Sequence, residues 1–290
     1  MTNDRPQLGP DEWSAWLLEH RHGRDPVVEK ALRTEVAGYV DRILDAAQLE
    51  PAMTLADVGT RDGVVAFRAI ERVGPSLRVL MADISAPLLR HTESLAAQRN
   101  VRAQCTFFQA PADDLAPIAD ACVDVVTTRA ALAYVADKRA ALREFHRILR
   151  PGGRVCVAEP ILQDDAIETI GLKRVADANR ETEQHEVLSL LHRWKAAQFP
   201  DTTERLAASP IANFSERDLL GYFQECDFSD IHLELHIDVR PGCPGIRSYA
   251  AHPIRGRQPT ASSSNNDSLM TSAKSSNKRF AQPSRLVLQR

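Results

Sequence analysis

The chain has 290 residues, of which 43% are hydrophobic and 26% charged, with a formal net charge of -3. That length suffices for one large domain with a sizeable core, and the composition is that of an ordinary globular protein. The charge is unevenly spread: residues 257–290 carry six Lys/Arg against one Asp, leaving residues 1–256 with 30 basic and 38 acidic side chains. An acidic body is a poor match for a phosphate backbone, so nucleic acid is not an expected partner. The start Met1-Thr2-Asn3-Asp4-Arg5-Pro6 has no apolar stretch, and no run approaches about 18 apolar residues. Neither a signal peptide nor a membrane span is therefore expected. Five cysteines (Cys105, Cys122, Cys156, Cys226, Cys243) lack Cys-x-x-Cys spacing and read as free thiols in a reducing cytoplasm.

The first helix signal is Asp11 to Arg21, with Trp13, Trp16 and Leu17 on one face. Asp25-Pro26 reads as an N-cap with proline at the first helical position. Val28, Leu32, Val36, Tyr39, Val40 and Ile43 mark the buried stripe of the helix that follows, which stops before Pro51. From Thr54 the texture changes. Thr54–Val58, Arg78–Met81, Ala103–Phe108, Val123–Thr127 and Arg154–Ala158 read as strands, with helices near Val64–Val73, Ala86–Gln98 and Lys138–Leu149. Such alternation predicts a doubly wound α/β domain, a parallel sheet covered by helices on both faces. Beyond Pro160 the pattern breaks: residues 165–208 are charged and helical, followed by a helix over Glu216–Cys226, a strand over Ile231–Val239 and a short strand over Ser248–His252. The expected organisation is N-terminal helices over 1–50, a catalytic domain over 51–256 with a helical insertion, and a disordered tail over 257–290, where eight serines accompany little apolar periodicity.

Five segments carry chemistry. Thr54-Leu55-Ala56-Asp57-Val58-Gly59-Thr60-Arg61-Asp62-Gly63 is a strand entering a glycine loop and then a helix, which lets backbone approach a ligand and aims helix N–H groups at it. Dinucleotide sites and methyl-donor sites share that geometry, and so does a tight turn with no ligand. Asp83 ends the next strand, 20 residues past Gly63, where an acid can accept from both hydroxyls of an adenosine ribose. The bland alternative for Asp83 is a helix N-cap, a role Ser85 could share. Phe108–Leu115 and Val123–Arg129 are the third and fourth segments. In the fifth, Leu142–Val155, an amphipathic helix ends at Leu149-Arg150-Pro151-Gly152-Gly153 and feeds a strand.

In that order, over about residues 40–160, these segments resemble the class I S-adenosylmethionine-dependent methyltransferases of the type 11 small-molecule group. The resemblance implies a Rossmann-like, mostly parallel seven-stranded sheet, a helical lid over 165–208, S-adenosylmethionine as cofactor and a small-molecule acceptor. It implies that Asp57, Gly59, Thr60 and Gly63 surround the methionine end of the donor, and that Asp83 holds the ribose. Ile84, Ala112 and Asp113 would meet adenine, while Thr128 and Arg129 would hold the donor's amino-acid group. Two positions depart from the family pattern. Arg61 stands where the middle glycine of the loop is usual, and Pro111 replaces the usual acid before Ala112, with Asp113 as its substitute.

Methyl transfer from a sulfonium releases a neutral leaving group, so positioning and water exclusion dominate and no metal site is expected. A hydroxyl acceptor would be helped by a base, for which the candidates are His185, His192, His146 and Glu159, with Tyr134 as a hydrogen-bonding partner. His185 and His192 share one face of the insertion, and a solvated face is the plain alternative for both. His146, on the helix before Pro151, reads as a surface or interface residue. His232 and His236 read as structural residues of an alternating strand, and His20 and His22 lack an accompanying ligand set. Two other classes stay in view. A donor-binding partner protein without catalysis would bind S-adenosylhomocysteine and methylate nothing. A nicotinamide-dependent oxidoreductase would require Gly-x-Gly-x-x-Gly, which Gly59-Thr60-Arg61-Asp62-Gly63-Val64 does not supply.

Overall fold

The computed structural model of the chain describes residues 11–20, 26–236 and 285–289. Helix α1 (Glu12–Ala15) opens with a reciprocal cap, in which Asp11 accepts from the Ser14 N–H and Ser14 returns a bond. The chain then continues as a wider π-turn over Trp16–His20, so the expected single helix changes pitch after one turn. Arg21 and Asp25 lie outside the described residues. Pro26 is the first residue of helix α2 (Pro26–Ala47).

The α/β alternation follows. Strands β1 (Thr54–Val58), β2 (Arg78–Asp83), β3 (Cys105–Gln109), β4 (Val123–Arg129) and β5 (Leu149–Pro160) form a parallel sheet. Between them run α3 (Val64–Val73), α4 (Ala86–Gln98) and α5 (Lys138–Ile148). The central strands β1 and β4 are buried along nearly their whole length because helices cover both faces of the sheet. On one face Val40, Ile43, Val65, Ile70 and Ala96 of α2, α3 and α4 pack on Leu55, Val79 and Val125. On the other, Leu142 and Phe145 of α5 pack on Val126 and Val157 beside Leu219 and Phe223 of α9 (Glu216–Glu225). Three helices, α6 (Gln163–Ala178), α7 (His185–Ala196) and α8 (Thr203–Ala207), lie in the chain between β5 and α9.

The Pro-Gly-Gly turn is absorbed into β5 rather than preceding it. Val123 pairs with Leu149 and Val125 with Arg154, so residues 150–153 bulge out opposite Asp124. Gly153 is required there, since a Cβ would lie 2.9 Å from the carbonyl oxygens of Arg150 and Asp124. The helix before the turn is anchored too. Arg147 donates to the carbonyls of Leu115 and Ile118, and Glu144 accepts from the Leu115 N–H at 2.7 Å, pinning the loop between β3 and β4.

Two antiparallel strands, β6 (His232–His236) and β7 (Arg285–Gln289), lie beyond β5, giving the order β3-β2-β1-β4-β5-β7-β6. β7 falls within the segment 257–290 read as a tail and lies between β5 and β6, pairing Val157 with Leu288 and Leu233 with Leu288. The short run Leu286-Val287-Leu288 is too small to form a domain, but an open edge of β5 offers it a partner. The rest of the tail, the strand expected at Ser248–His252 and the end of the one expected to reach Val239 lie outside the described residues. We expect a chain ending at residue 284 to melt about 5 °C or more below full length, because it leaves that edge unpaired. Equal melting curves at low and high salt would show that β7 contributes nothing to stability.

Among the described residues, no helix is long and apolar enough to cross a membrane.

Candidate functional site

The chain runs outward from β1 to β2 and β3, then returns to place β4 on the other side of β1. At such a switch point the loops leaving β1 and β4 part in opposite directions and open a crevice at the carboxyl ends of the strands. The residues singled out from the sequence fall largely on the loops around that crevice.

The loop after β1 starts with Gly59 at φ +69° and ends with Gly63 at φ +73°. Both glycines are required by packing as well as by backbone conformation. A Cβ on Gly59 would lie 2.3 Å from the Cβ of Ala131, in the loop after β4, and one on Gly63 would lie 2.6 Å from Phe67 and 2.8 Å from Thr92. Arg61, where the family pattern has glycine, takes a left-handed conformation (φ +54°), so the backbone keeps its course despite the side chain. Its N–H donates to Asp83 Oδ2 at 2.9 Å, and its carbonyl accepts from the Thr92 hydroxyl.

Asp83 is buried at the end of β2 and accepts from the Arg61 and Ser85 N–H groups, one on each oxygen. Burial raises its pKa, opposed by these two bonds and by the Arg61 charge. Ser85, not Asp83, caps α4 by accepting from the Leu88 N–H. Asp83 is thereby left to bind the loop and anything the loop holds. Ile84, directly after it, is a large apolar side chain left 46% exposed. Opposite, the Ala110 N–H donates to the Asp83 carbonyl, which brings the 111–114 turn alongside, with Ala112 half-buried and Asp113 exposed.

Asp57 is the most deeply buried acid on the β1 side. It accepts from the hydroxyls of Thr60 (2.7 Å) and Thr127 (2.9 Å). Thr60 and Asp57 thus satisfy each other, and both act on the loop from beneath. Burial pushes the Asp57 carboxyl up to about 6, against the two hydroxyl bonds and the Arg129 charge. Its folded pKa lies above the unfolded value of 3.8. Between those values the folded chain holds more protons, so stability falls as pH rises through about 6. We expect Asp57→Asn, which keeps the shape without the charge, to flatten melting temperature against pH between 4 and 7. An unchanged slope would place the proton elsewhere.

On β4, Thr128 and Arg129 are both buried, and the Thr128 hydroxyl has no hydrogen-bond partner among the described residues. Buried polar atoms are seldom left so. Asp62 Oδ1, in the glycine loop, is likewise buried without one. The 3₁₀ turn Leu132–Tyr134 follows β4, and the Tyr134 ring meets Trp13 of α1 edge-on at 5.0 Å. Asp11, the cap of α1, has its pKa lowered against its burial partly by the Ser85 hydroxyl, so the first helix sits beside the same crevice.

The candidate histidines have other neighbours. His185 Nδ1 lies 3.2 Å from the Ala176 carbonyl, and its ring is near the Ser189 hydroxyl. His192 Nε2 lies 3.4 Å from Asp201 Oδ2, a contact that becomes an ion pair only on protonation. Both histidines therefore have their described partners inside the insertion. His146 packs edge-on against Phe228 at 5.5 Å on the exposed side of α5. Glu159, the fourth candidate base, is fully buried and has both oxygens engaged by the N–H groups of Ala131, Leu132 and Ala133. Sequence reading missed Thr127, Thr92, Ala131 and Lys138. The two threonines ending the valine-rich β4 were a visible signal, whereas a lysine opening a helix reads as solvent-facing.

A family model described as a methyltransferase domain matches residues 49–204. Nocamycin O-methyltransferase of Saccharothrix syringae is 34% identical over 141 residues, 47% of this chain and 50% of that protein. The ubiquinone/menaquinone biosynthesis C-methyltransferase UbiE of Hahella chejuensis is 34% identical over 116 residues, 40% of this chain and 46% of that protein. The chain thus spans about half the length of the curated relatives it matches. Two solved structures share the fold, each with a TM-score of 0.52: a candidate methyltransferase of Bacillus halodurans C-125 (14% identity, 86% of this chain, 96% of that one) and the YcgJ protein of Bacillus subtilis (16%, 86% and 95%).

Proposed function

The chain belongs to the methyltransferase-domain family, and from that premise we propose that it transfers the methyl group of S-adenosylmethionine to a small-molecule acceptor. The observation that carries the reading is Asp83, a buried acid tied to the glycine loop at the switch point, whose carboxylate keeps lone pairs beyond the two already used. The residues present fit the group: Asp83 suits a ribose diol, the exposed Ile84 suits an adenine face, and the orphaned Thr128 hydroxyl suits a polar amino-acid end. In this reading Asp57, Gly59, Thr60 and Gly63 shape the methionine end from below, with Ala112 and Asp113 at the adenine edge and Thr128 and Arg129 at the amino-acid group. When bound, S-adenosylmethionine supplies an activated methyl that leaves a neutral thioether.

What the chain's own residues contribute is orientation and exclusion of water. Gly59 and Ala131 close the loops against each other, and α1 covers the crevice through Trp13 and Tyr134. The sheet is completed to seven strands by β6 and β7 in this reading, and α6–α8 form a lid on the acceptor side. Tyr134 leads the acceptor-side candidates because it follows β4 by one turn. His185 and His192 would act from the lid. O-, N- and C-methylation are all compatible with this arrangement.

A second reading rests on Arg61: a chain that binds the donor and transfers nothing, its loop altered where glycine is usual. Calorimetric titration with S-adenosylhomocysteine, followed by labelled methyl transfer into a metabolite extract, separates the two. Binding with transfer supports the enzyme, and binding without transfer supports the second reading. No binding at all removes both. If transfer is seen, Tyr134→Phe, His185→Ala and His192→Ala should each lower turnover more than donor affinity in proportion to its part in the acceptor site.

A further inference from the structure

We propose that Glu159 and Lys138 form a matched pair of positioning residues that hold the loop after β4 against the donor loop, with Lys138 also tying it to the exit of the α6–α8 insertion. The proposal deepens the donor-binding reading and rests on it for its consequence. Its geometry stands on the fold alone.

Two buried groups of opposite charge ordinarily pair with each other, since an uncompensated charge inside a protein is costly. Glu159 and Lys138 make no direct ion pair among the described residues. Each is instead satisfied by backbone. Glu159 Oε1 accepts from the Ala131 and Leu132 N–H groups, both at 3.1 Å, and Oε2 accepts from Ala133 at 3.0 Å. Lys138 Nζ donates to the carbonyls of Ala133 (3.2 Å), Val135 (3.1 Å) and Pro210 (2.7 Å), with its ammonium 4.3 Å from the Phe214 ring centre. The three protons of the ammonium are fully used.

The partners reveal the design. Ala131, Leu132 and Ala133 carry the N–H groups at the start of the 3₁₀ turn Leu132–Tyr134, which have no partner within the turn. Ala133 and Val135 carry carbonyls at its other end. An anion holds the positive end of the turn and a cation holds the negative end, the favourable sense for each. Burial pushes the Lys138 ammonium down to about 8, and the Glu159 charge works against that shift. The turn itself is a critical place. Its first neighbour, Ala131, occupies the space a side chain at Gly59 would need, and Tyr134 at its end supports Trp13. Ala130, at φ +48°, aims the chain into it from β4, and the Ala130 N–H is held by the Ala158 carbonyl next to Glu159. The third bond of Lys138 goes to Pro210, just past α8, so one side chain fastens the donor side of the crevice to the end of the insertion.

The test uses the full chain with Glu159→Gln, Lys138→Met and the double variant. Glutamine keeps one acceptor oxygen but turns an NH₂ toward at least one N–H, and methionine keeps the stem of the lysine without its donors. Amide hydrogen exchange should speed at least tenfold over residues 130–137 in both single variants, and over 209–214 in Lys138→Met alone. The dissociation constant for S-adenosylhomocysteine should rise about tenfold in each, the scale of one hydrogen bond to a charged group. The double variant should be little worse than the weaker single, because both residues act on one turn. Ile43→Ala, a core change in the cluster on the other face of the sheet, serves as the control that lowers melting temperature alone. Exchange that stays at wild-type rates in 130–137, or that rises evenly along the chain as in the control, overturns the proposal. If wild type fails to bind S-adenosylhomocysteine, the donor reading falls, while the exchange measurement still decides what the pair does. If Lys138→Met fails to fold, the Glu159→Gln exchange pattern decides alone.

Discussion

Gly59→Val should destabilise the protein by about 3–5 kcal/mol, from a left-handed backbone that a β-branched residue resists and from overlap with a neighbour. The overlap is specific: a Cβ at residue 59 lies 2.3 Å from the Cβ of Ala131, and φ is +69°. At about 2–4 °C per kcal/mol for a chain of this size, the melting temperature should fall by roughly 10 °C, and S-adenosylhomocysteine binding should be lost with it. The first group that a side chain at residue 59 meets is protein rather than a bound ligand. The two contributions can be separated. Gly59→Ala with Ala131→Gly removes the overlap and keeps the backbone strain, so it should recover part of the stability lost by Gly59→Ala alone. No recovery would mean that φ accounts for the whole effect and that the loops are not in close contact.

Asp83→Asn should weaken S-adenosylhomocysteine binding by about 1.5–3 kcal/mol, the range for hydrogen bonds made to a charged group. The substitution keeps the shape of the side chain and one acceptor oxygen. It removes the charge and sets an NH₂ against either the Arg61 or the Ser85 N–H, both now 2.9 Å from the carboxylate. A modest loss of melting temperature is therefore also expected. The assignment to the ribose depends on the affinity changing by more than the stability does. A variant that melts lower and binds as tightly as wild type would leave Asp83 as a residue that only shapes the glycine loop. Ser85→Ala provides the contrast, since Ser85 caps α4 and its loss should cost stability with little change in affinity.

The order of strands and helices between Thr54 and Pro160 was legible in the sequence because each element there carries its own periodicity and punctuation. Val64–Val73 and Ala86–Gln98 form helices at the expected bounds, the second with Ser85 as its cap and Pro87 in its first turn. The glycine loop and Asp83 were legible for the same reason, as motifs whose chemistry is local. Three things were not. The strand Arg285–Gln289 has no local signal beyond three apolar residues, and only the open edge of β5 gives it a place. The partner of Gly59 is Ala131, 72 positions away, a small residue whose role exists only where two loops meet. In sequence Glu159 reads as a candidate base and Lys138 as a surface lysine. Tertiary structure alone brings three N–H groups to one and three carbonyls to the other. A strand or helix is specified by neighbours in sequence, whereas the satisfaction of a buried charge depends on which distant backbone groups the packed fold delivers to it.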